Sequence, residues 1–449
     1  MKGSFKIKGC LVFLVILSMT GVNAQRTSFK FDFGNGRTEK GYISVTPESK
    51  FANEKGYGFT NGSDVTAVDR GGKALTGNYI TSSKPFCFSV NLPDGNYDVK
   101  LILGDKKGTS ATTVRAECRR LMLENIRTRK GEFVTQTFTV NVRDSLIRDA
   151  KGNIVKTVRL KPREYEYLHW DNFLTIEFND SLPKVCAVEI TPGKTATTIF
   201  LAGNSTVVDQ SREPWAAWGQ MLPRFFVPGK IAVANYAESG EALNSFLSAR
   251  RLEKILSLMK PGDYLFIEFG HNDMKQKGPG IGAFTSYKKL LKQYIAEVKK
   301  KGGIPVLVTS MHRRNFDANG KIVNTLGDYP EAVRQTAKEE NVAVIDLNAM
   351  SKILYEAWGP QQSVKAFVHY PANTFPGQTT KLEDNTHFNP YGAYELARCI
   401  VQSIRQQQLP LAAFIRPEVD SFDPAKPLPV ENFYWPMSSF VTSTKPDGN

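Results

Sequence analysis

Ser205 lies in the stretch LAGNSTVVDQ (Leu201 to Gln210), after a short apolar run and inside a turn of small residues. A hydroxyl at such a strand end is a candidate nucleophile. Ester hydrolysis also needs a base for the hydroxyl proton, a carboxylate to orient the base, and donors for the oxyanion. Later stretches offer each of these. EDNTHFNPYGA carries Asp384 and His387. Their three-residue spacing lets both project from one loop, with the carboxylate on Nδ1 and Nε2 facing the serine. NYAESGEA carries Gly240, whose missing Cβ lets a backbone N–H come close to a ligand. FGHND carries Asn272, a neutral amide donor. The expected oxyanion donors are the N–H groups of Ser205 and Gly240 and the Asn272 side chain. Singly, each residue has an ordinary structural reading as a turn or helix cap; as a set they describe acyl transfer. The G-x-S-x-G elbow of another hydrolase architecture is absent. No Cys/His cluster with metal-ligand spacing occurs, so neither metal nor other cofactor is expected.

These residues must be held by the second of two halves with different periodicity. Residues 27–191 carry short alternating runs such as SFKFDFG, FCFSVNL, NYDVKLIL, EFVTQTFTVNV, TVRLK and FLTIEF, separated by turn signals such as PDGN and AKGN. That pattern predicts an all-β sandwich or jelly roll. From Thr197, continuous apolar strands (TTIFLA, IAVAN, DYLFIEF, IPVLVTS, VAVIDL) alternate with helical stretches around EPWAAWGQMLPRFF, ALNSFLSARRLEKILSLM, SYKKLLKQYIAEVKKKG, YPEAVRQTAKEEN and Tyr391 to Gln407. This predicts an α/β domain over 197–410, its parallel sheet covered on both faces. Ligands of such sheets bind beyond the carboxyl ends of the strands, which is where the chemistry-bearing residues fall. TPGKTAT (Thr191 to Thr197) reads as a linker. The tail, 411–449, is proline-rich, and its Phe433, Tyr434 and Trp435 are expected to pack back on the body.

The blocks GNST, WAAWGQML, VANYAESGEALNSF, PGDYLFIEFGHNDMK, GGIPVLVTSMHRRNFDANGKIV and EDNTHFNPYGAYELA recur in an order that resembles an SGNH/GDSL hydrolase. More narrowly they are similar to the rhamnogalacturonan acetylesterase family, carbohydrate esterase family 12. The resemblance implies a flavodoxin-like three-layer fold, Ser205 as nucleophile with Asp384 and His387, and removal of O-acetyl groups from pectin backbones without a metal. One position departs from the pattern: Asn204 stands where the family usually has aspartate. None of the proton transfers needs a carboxylate there, so retained activity with an altered rate or pH dependence is expected. NST also matches a glycosylation acceptor, but a buried strand exit suits that poorly. The first half is similar to the galactose-binding-like sandwich often fused to such esterases, on FDFGNG, KGYGF and LPDGNYDVKLILGD. It either binds sugar through aromatics such as Tyr57 or Trp170 or shapes the cleft, with the second reading ahead.

The first 24 residues combine Lys2, Lys6 and Lys8, the apolar run CLVFLVILSM and TGVNA. They read as a secretory leader cut after Ala24, and a periplasmic or secreted protein follows as an expectation. No other stretch is long and apolar enough to predict a membrane span. The formal charge of +14, or +11 without the leader lysines, favours polyanions. No nucleic-acid motif accompanies it, so an acidic polysaccharide is the expected partner. His271, Lys275, His312, Arg313 and Arg314 near the third and fourth strand ends are candidates for carboxylate recognition, alongside the plainer reading of a solvated basic loop. The compartment allows one disulfide among Cys87, Cys118 and Cys186. The alternatives left open are an acetylesterase acting on xylan, homogalacturonan or another ester, and a polysaccharide-binding protein on a dead hydrolase scaffold.

Overall fold

The computed structural model describes residues 26–447, and the expected leader lies outside them. In the first half, alternation becomes sidedness. Along Gly95–Gly104, Tyr97, Val99, Leu101 and Leu103 are buried while the residues between them are partly exposed. One sheet orders Phe133–Val142, Gly95–Gly104, Lys184–Pro192, Phe29–Phe33 and Ile43–Val45, with two short strands added at its side. The facing sheet orders Tyr57–Thr60, Phe86–Asn91, Phe173–Leu182, Ser110–Ala116 and Arg120–Thr128. Phe88 is the hub of the core between them, with ring centroids 5.0 Å from Phe31, 4.9 Å from Phe33 and 5.5 Å from Phe59.

The second half holds five parallel strands, numbered here within that domain: β1 (Thr197–Gly203), β2 (Ile231–Asn235), β3 (Tyr264–Glu268), β4 (Ile304–Val308) and β5 (Ala343–Ile345). Their order is β2-β1-β3-β4-β5, every pair parallel. This is the flavodoxin-like order, with its switch point at β1 and β3. The apolar strands bury both faces. Leu201, Val233, Phe266 and Val308 pack under Pro390–Gln406 and Leu347–Gln362. Phe200, Ala234, Ile267 and Leu307 pack under Arg251–Leu258, Lys288–Lys300 and Tyr329–Glu340.

Several elements differ from the sequence pattern. The helix expected around 213–226 shrinks to Trp218–Met221 and a 3-10 turn, Leu222–Phe225. Residues before it are extended because they are bonded elsewhere: Glu213 N–H donates to Phe440 O and Ala216 N–H to Phe388 O. Helix 243–258 breaks at Arg250, whose φ of 63° is left-handed. Leu347–Gln362 is helical, interrupted at Gly359 (φ 70°) before Pro360, where the sequence pattern gave no expectation of a helix. Asp384 and His387 sit not on a loop but on a strand, Leu382–Phe388, paired antiparallel with Phe367–Tyr370. Cys87, Cys118, Cys186 and Cys399 are buried free thiols. Trp170, considered as a sugar platform, is instead 8% exposed and packs edge-on to Tyr236. No helix among the described residues is long and apolar enough to cross a membrane.

Charged side chains are buried where the two halves meet. Arg120 Nε lies 3.3 Å from Asp209, Arg119 3.4 Å from Glu213, Arg251 2.5 Å from Glu164 and Lys254 3.0 Å from Asp144. The tail returns to this region. Trp435 donates its indole N–H to Glu213 (2.9 Å), and the Arg115 guanidinium lies 3.9 Å over its ring. The sandwich core makes one stability prediction. Phe88→Ala should cost about 3–5 kcal/mol through lost transfer energy and an unfilled cavity, read as a lower urea midpoint by tryptophan fluorescence.

Candidate active site

β1 ends at Gly203, and the chain turns at once. The Asn204 carbonyl accepts from Val207 N–H (3.0 Å) and Val208 N–H (3.1 Å). The Asn204 side chain folds into the same turn: Oδ1 accepts from Thr206 N–H at 3.0 Å and from Thr206 Oγ1 at 2.8 Å. It therefore does the acceptor work expected of an asparagine there, while Nδ2 has no hydrogen-bond acceptor. Beneath it lies Glu268, the last residue of β3. It is fully buried and accepts from the Trp218 indole at 3.1 Å, while the Thr206 hydroxyl, whose proton is directed at Asn204, lies 3.3 Å away. Burial lifts its carboxyl to about 7, against the pull of these groups. Nothing in the local pattern marks Glu268, which reads simply as the polar end of an apolar strand.

The hairpin strand brings the second component to the first. His387 Nε2 lies 2.8 Å from Ser205 Oγ, and Nδ1 lies 2.8 Å from Asp384 Oδ2. A carboxylate can only accept, so Nδ1 carries the proton and Nε2 accepts from the serine hydroxyl. Asp384 Oδ1 also accepts the N–H groups of Thr386 (2.8 Å) and His387 (3.0 Å). Burial opposes ionisation of Asp384, but the imidazole and these two N–H groups outweigh it and hold the carboxyl well below the usual range. Lys445, from the tail, stands 3.3 Å from the same carboxylate. The Trp215 ring meets the imidazole edge to face at 5.7 Å.

Gly240 follows β2 with φ of +81°, a conformation that side chains disfavour. It shares a cavity with Asn272, Lys161, Lys275 and Asp447. Asn272 Nδ2 donates to Glu241 O at 3.0 Å, tying the turn after β2 to the turn after β3. A second cavity of about 330 Å³ adjoins the serine turn, lined by Arg163, Gln210, Arg212, Trp215, Ser239 and Lys445 among others. Gln210 connects it to the serine turn by donating to Ser205 O at 2.9 Å.

The five residues expected to meet a substrate carboxylate divide. Lys275 lies with Gly240 and Asn272, its Nζ 3.4 Å from Asn272 Oδ1. Arg313 is half-buried, close enough to Asp384 to feel its charge, and bonded to Thr325 at 3.2 Å. Arg314 is committed to Ser363 (3.0 Å) and Asn385 (3.1 Å). His271 and His312 are turned inward, 2% and 5% exposed. Burial pushes both imidazoles down, His312 to about 4, so they stay neutral and do not suit anion capture. Lys161, Arg163 and Lys445 reach the site without having been singled out in the sequence, since their partners lie far along the chain.

The GDSL-like lipase/acylhydrolase family matches residues 200–393, and the galactose-binding-like domain of the beta-agarase/YXIM esterase-like group matches 29–156. Rhamnogalacturonan acetylesterase RhgT of Bacillus subtilis (strain 168) is 43% identical over 215 residues, 47% of this chain and 91% of the relative. The uncharacterized esterase YxiM of the same organism is 28% identical over 413 residues, covering 88% and 96%. The crystal structure of Bacillus subtilis YxiM aligns over 85% of this chain and 99% of its own, at 27% identity and a TM-score of 0.45. The chain belongs to the GDSL-like lipase/acylhydrolase family. It is an esterase of that family joined to a galactose-binding-like β domain.

Glu268 makes a pH prediction. Its folded carboxyl titrates near 7 and an unfolded glutamate near ~4.3, so the folded state holds the extra proton between these values. Its unfavourable burial is absent below about pH 4, grows as pH rises, and is complete above about 7. Glu268→Gln should match the parent at pH 4 and exceed it by up to ~3 kcal/mol at pH 8, measured by urea unfolding at both pH values.

Proposed function

We propose that the protein is an exported serine esterase that removes O-acetyl groups from an acidic pectic polysaccharide of the rhamnogalacturonan class. The observation that carries this reading is the Asp384–His387–Ser205 chain, two contacts of 2.8 Å each, in a domain 43% identical to a rhamnogalacturonan acetylesterase. The basic charge of the whole chain and the leader-like first 24 residues agree with an extracellular polyanion as substrate.

In this mechanism Ser205 Oγ attacks the acetyl carbonyl carbon as its proton passes to His387 Nε2. Asp384, held ionised by its donors, stabilises the imidazolium. The developing oxyanion accepts from Ser205 N–H, Gly240 N–H and Asn272 Nδ2. An amide nitrogen carries two N–H bonds. One is fixed on Glu241 O, which immobilises the group that presents the other. Collapse of the tetrahedral species breaks the bond to the sugar oxygen, which takes the proton from His387. Water, activated by the same imidazole, then releases acetate and regenerates Ser205. Asn204 enters none of these transfers.

Ser205→Ala should abolish acetate release from acetylated rhamnogalacturonan and labelling by a fluorophosphonate, with circular dichroism unchanged. Undiminished release would remove the reading, while labelling of the parent with release only from acetylated xylan or homogalacturonan would move the substrate. Asp384→Asn should lower kcat roughly 10³–10⁴-fold with little change in KM, because the imidazole loses its tautomer and its counter-charge, measured on a soluble acetyl ester.

A further inference from the structure

Residues 157–199 fall between the two family matches, 29–156 and 200–393, yet they send two cations to the turn that carries Gly240. Lys161 Nζ donates to Ser239 O at 2.5 Å and pairs with Glu241 at 2.9 Å. Arg163 donates from one terminal nitrogen to Ser239 O at 2.9 Å and to Glu238 at 2.6 Å, and from Nε to Glu238 at 3.2 Å. Glu238, Ser239 and Glu241 are all buried, so these cations meet partners screened from solvent.

The two contacts on Ser239 O matter because of peptide geometry. The Ser239 carbonyl and the Gly240 N–H belong to one planar trans unit and point in opposite directions. Holding the oxygen on one side aims the N–H to the other. A carbonyl that accepts two charge-assisted bonds is also polarised, which makes the N–H of the same unit a stronger donor. The left-handed Gly240, φ +81°, lies where a backbone flip meets little steric resistance, so an external hold has work to do. We propose that Lys161 and Arg163 are positioning residues of the oxyanion turn, acting through the Ser239–Gly240 peptide from outside the hydrolase domain. The inference rests on the esterase reading, in which Gly240 N–H receives the oxyanion.

The supporting segment is itself fixed. Glu164 caps Lys161 N–H at 2.8 Å, accepts from the Trp170 indole at 2.9 Å and pairs with Arg251 at 2.5 Å. Glu164, His169 and Glu238 offer ligand atoms within 4.8 Å of one another, but Arg251 pairs with Glu164 and Arg163 with one oxygen of Glu238, so two guanidinium charges already stand at the cluster. Arg143, Arg120 and Arg251 also press on the neutral His169. The cluster is therefore the anchor of the clamp and does not suit a cation.

The test uses the full chain with p-nitrophenyl acetate, an ester too small to bind the clamp itself. Lys161→Met with Arg163→Met should lower kcat about ten- to a hundredfold, as misplacement of a transition-state donor does, with KM within about twofold if only transition-state stabilisation is lost. Lys161→Arg should recover most of the loss. Arg163→Lys, one ammonium in place of a fork, should recover only part of it. In a double-mutant cycle, Lys161→Met and Asn272→Ala should be non-additive. Parent kcat in the double methionine variant, or a loss confined to KM on the polymer, overturns the proposal. Should the methionine variants not fold, unchanged kcat in Arg163→Lys overturns it equally. A parent that neither releases acetate nor reacts with fluorophosphonate would sink the esterase reading itself. An active parent with unaffected variants would remove only the clamp.

Discussion

The hydrogen bond between His387 and Ser205 joins residues 182 positions apart, and the fold around it reads as the means of keeping that distance. Ser205 is set by the end of a buried central strand. His387 is set by a hairpin with little apolar pattern of its own, which needs support from three sides. Ala216 N–H holds Phe388 O, the rings of Phe367 and Phe388 pack tilted with centroids 4.6 Å apart, and Asn389 caps the last helix while bonding back to Phe367 O at 3.2 Å. Gly392 permits this last closure, because a Cβ there would stand 2.0 Å from Ala366 O. The extended course of residues 213–217, which displaced an expected helix, is what lets Ala216 and Trp215 reach the imidazole side of the site.

The proposed oxyanion donors sit at the ends of neighbouring strands of the same sheet. Turns after β1, β2 and β3 lie side by side because those strands are adjacent in the order β2-β1-β3. Asn272 on Glu241 O and Asp273 on Leu243 N–H cross-link two of these turns. Rigidity comes from many bonds to backbone, and that suits a site whose donors should not reorganise during reaction.

Much of this was legible in the sequence. Continuous apolar runs mark parallel strands buried on both faces, so β1 to β4 and the turns after them could be placed, and with them Ser205, Gly240 and Asn272. The hairpin was not legible because LEDNTHF has neither the alternation of a half-buried strand nor the apolarity of a buried one; its order is tertiary. Leu347–Gln362 was missed for a related reason, since its buried row includes Asn348 and Ser351. Histidines and arginines near the strand ends looked alike as anion binders. Burial, which no local pattern reports, turns His271 and His312 inward. The converse error concerns Lys161 and Arg163, two basic residues in what read as a strand and its turn. Nothing within ten residues foretells carboxylates and a carbonyl about 75 positions away.

The buried charges between the halves have a consequence for how such chains can be recombined. Asp209, four residues past Ser205, is fully buried and faces Arg120 and Arg143 of the β half. Glu213 likewise faces Arg119. Removing one partner of a buried pair leaves a charge that neither water nor protein neutralises. An exchange of the β domain for an unrelated module would strand those carboxylates beside the turn that carries Ser205. Although the sequence divides into two domains, the protein is not a pair of interchangeable cassettes, and a new front half would have to bring arginines at matching places.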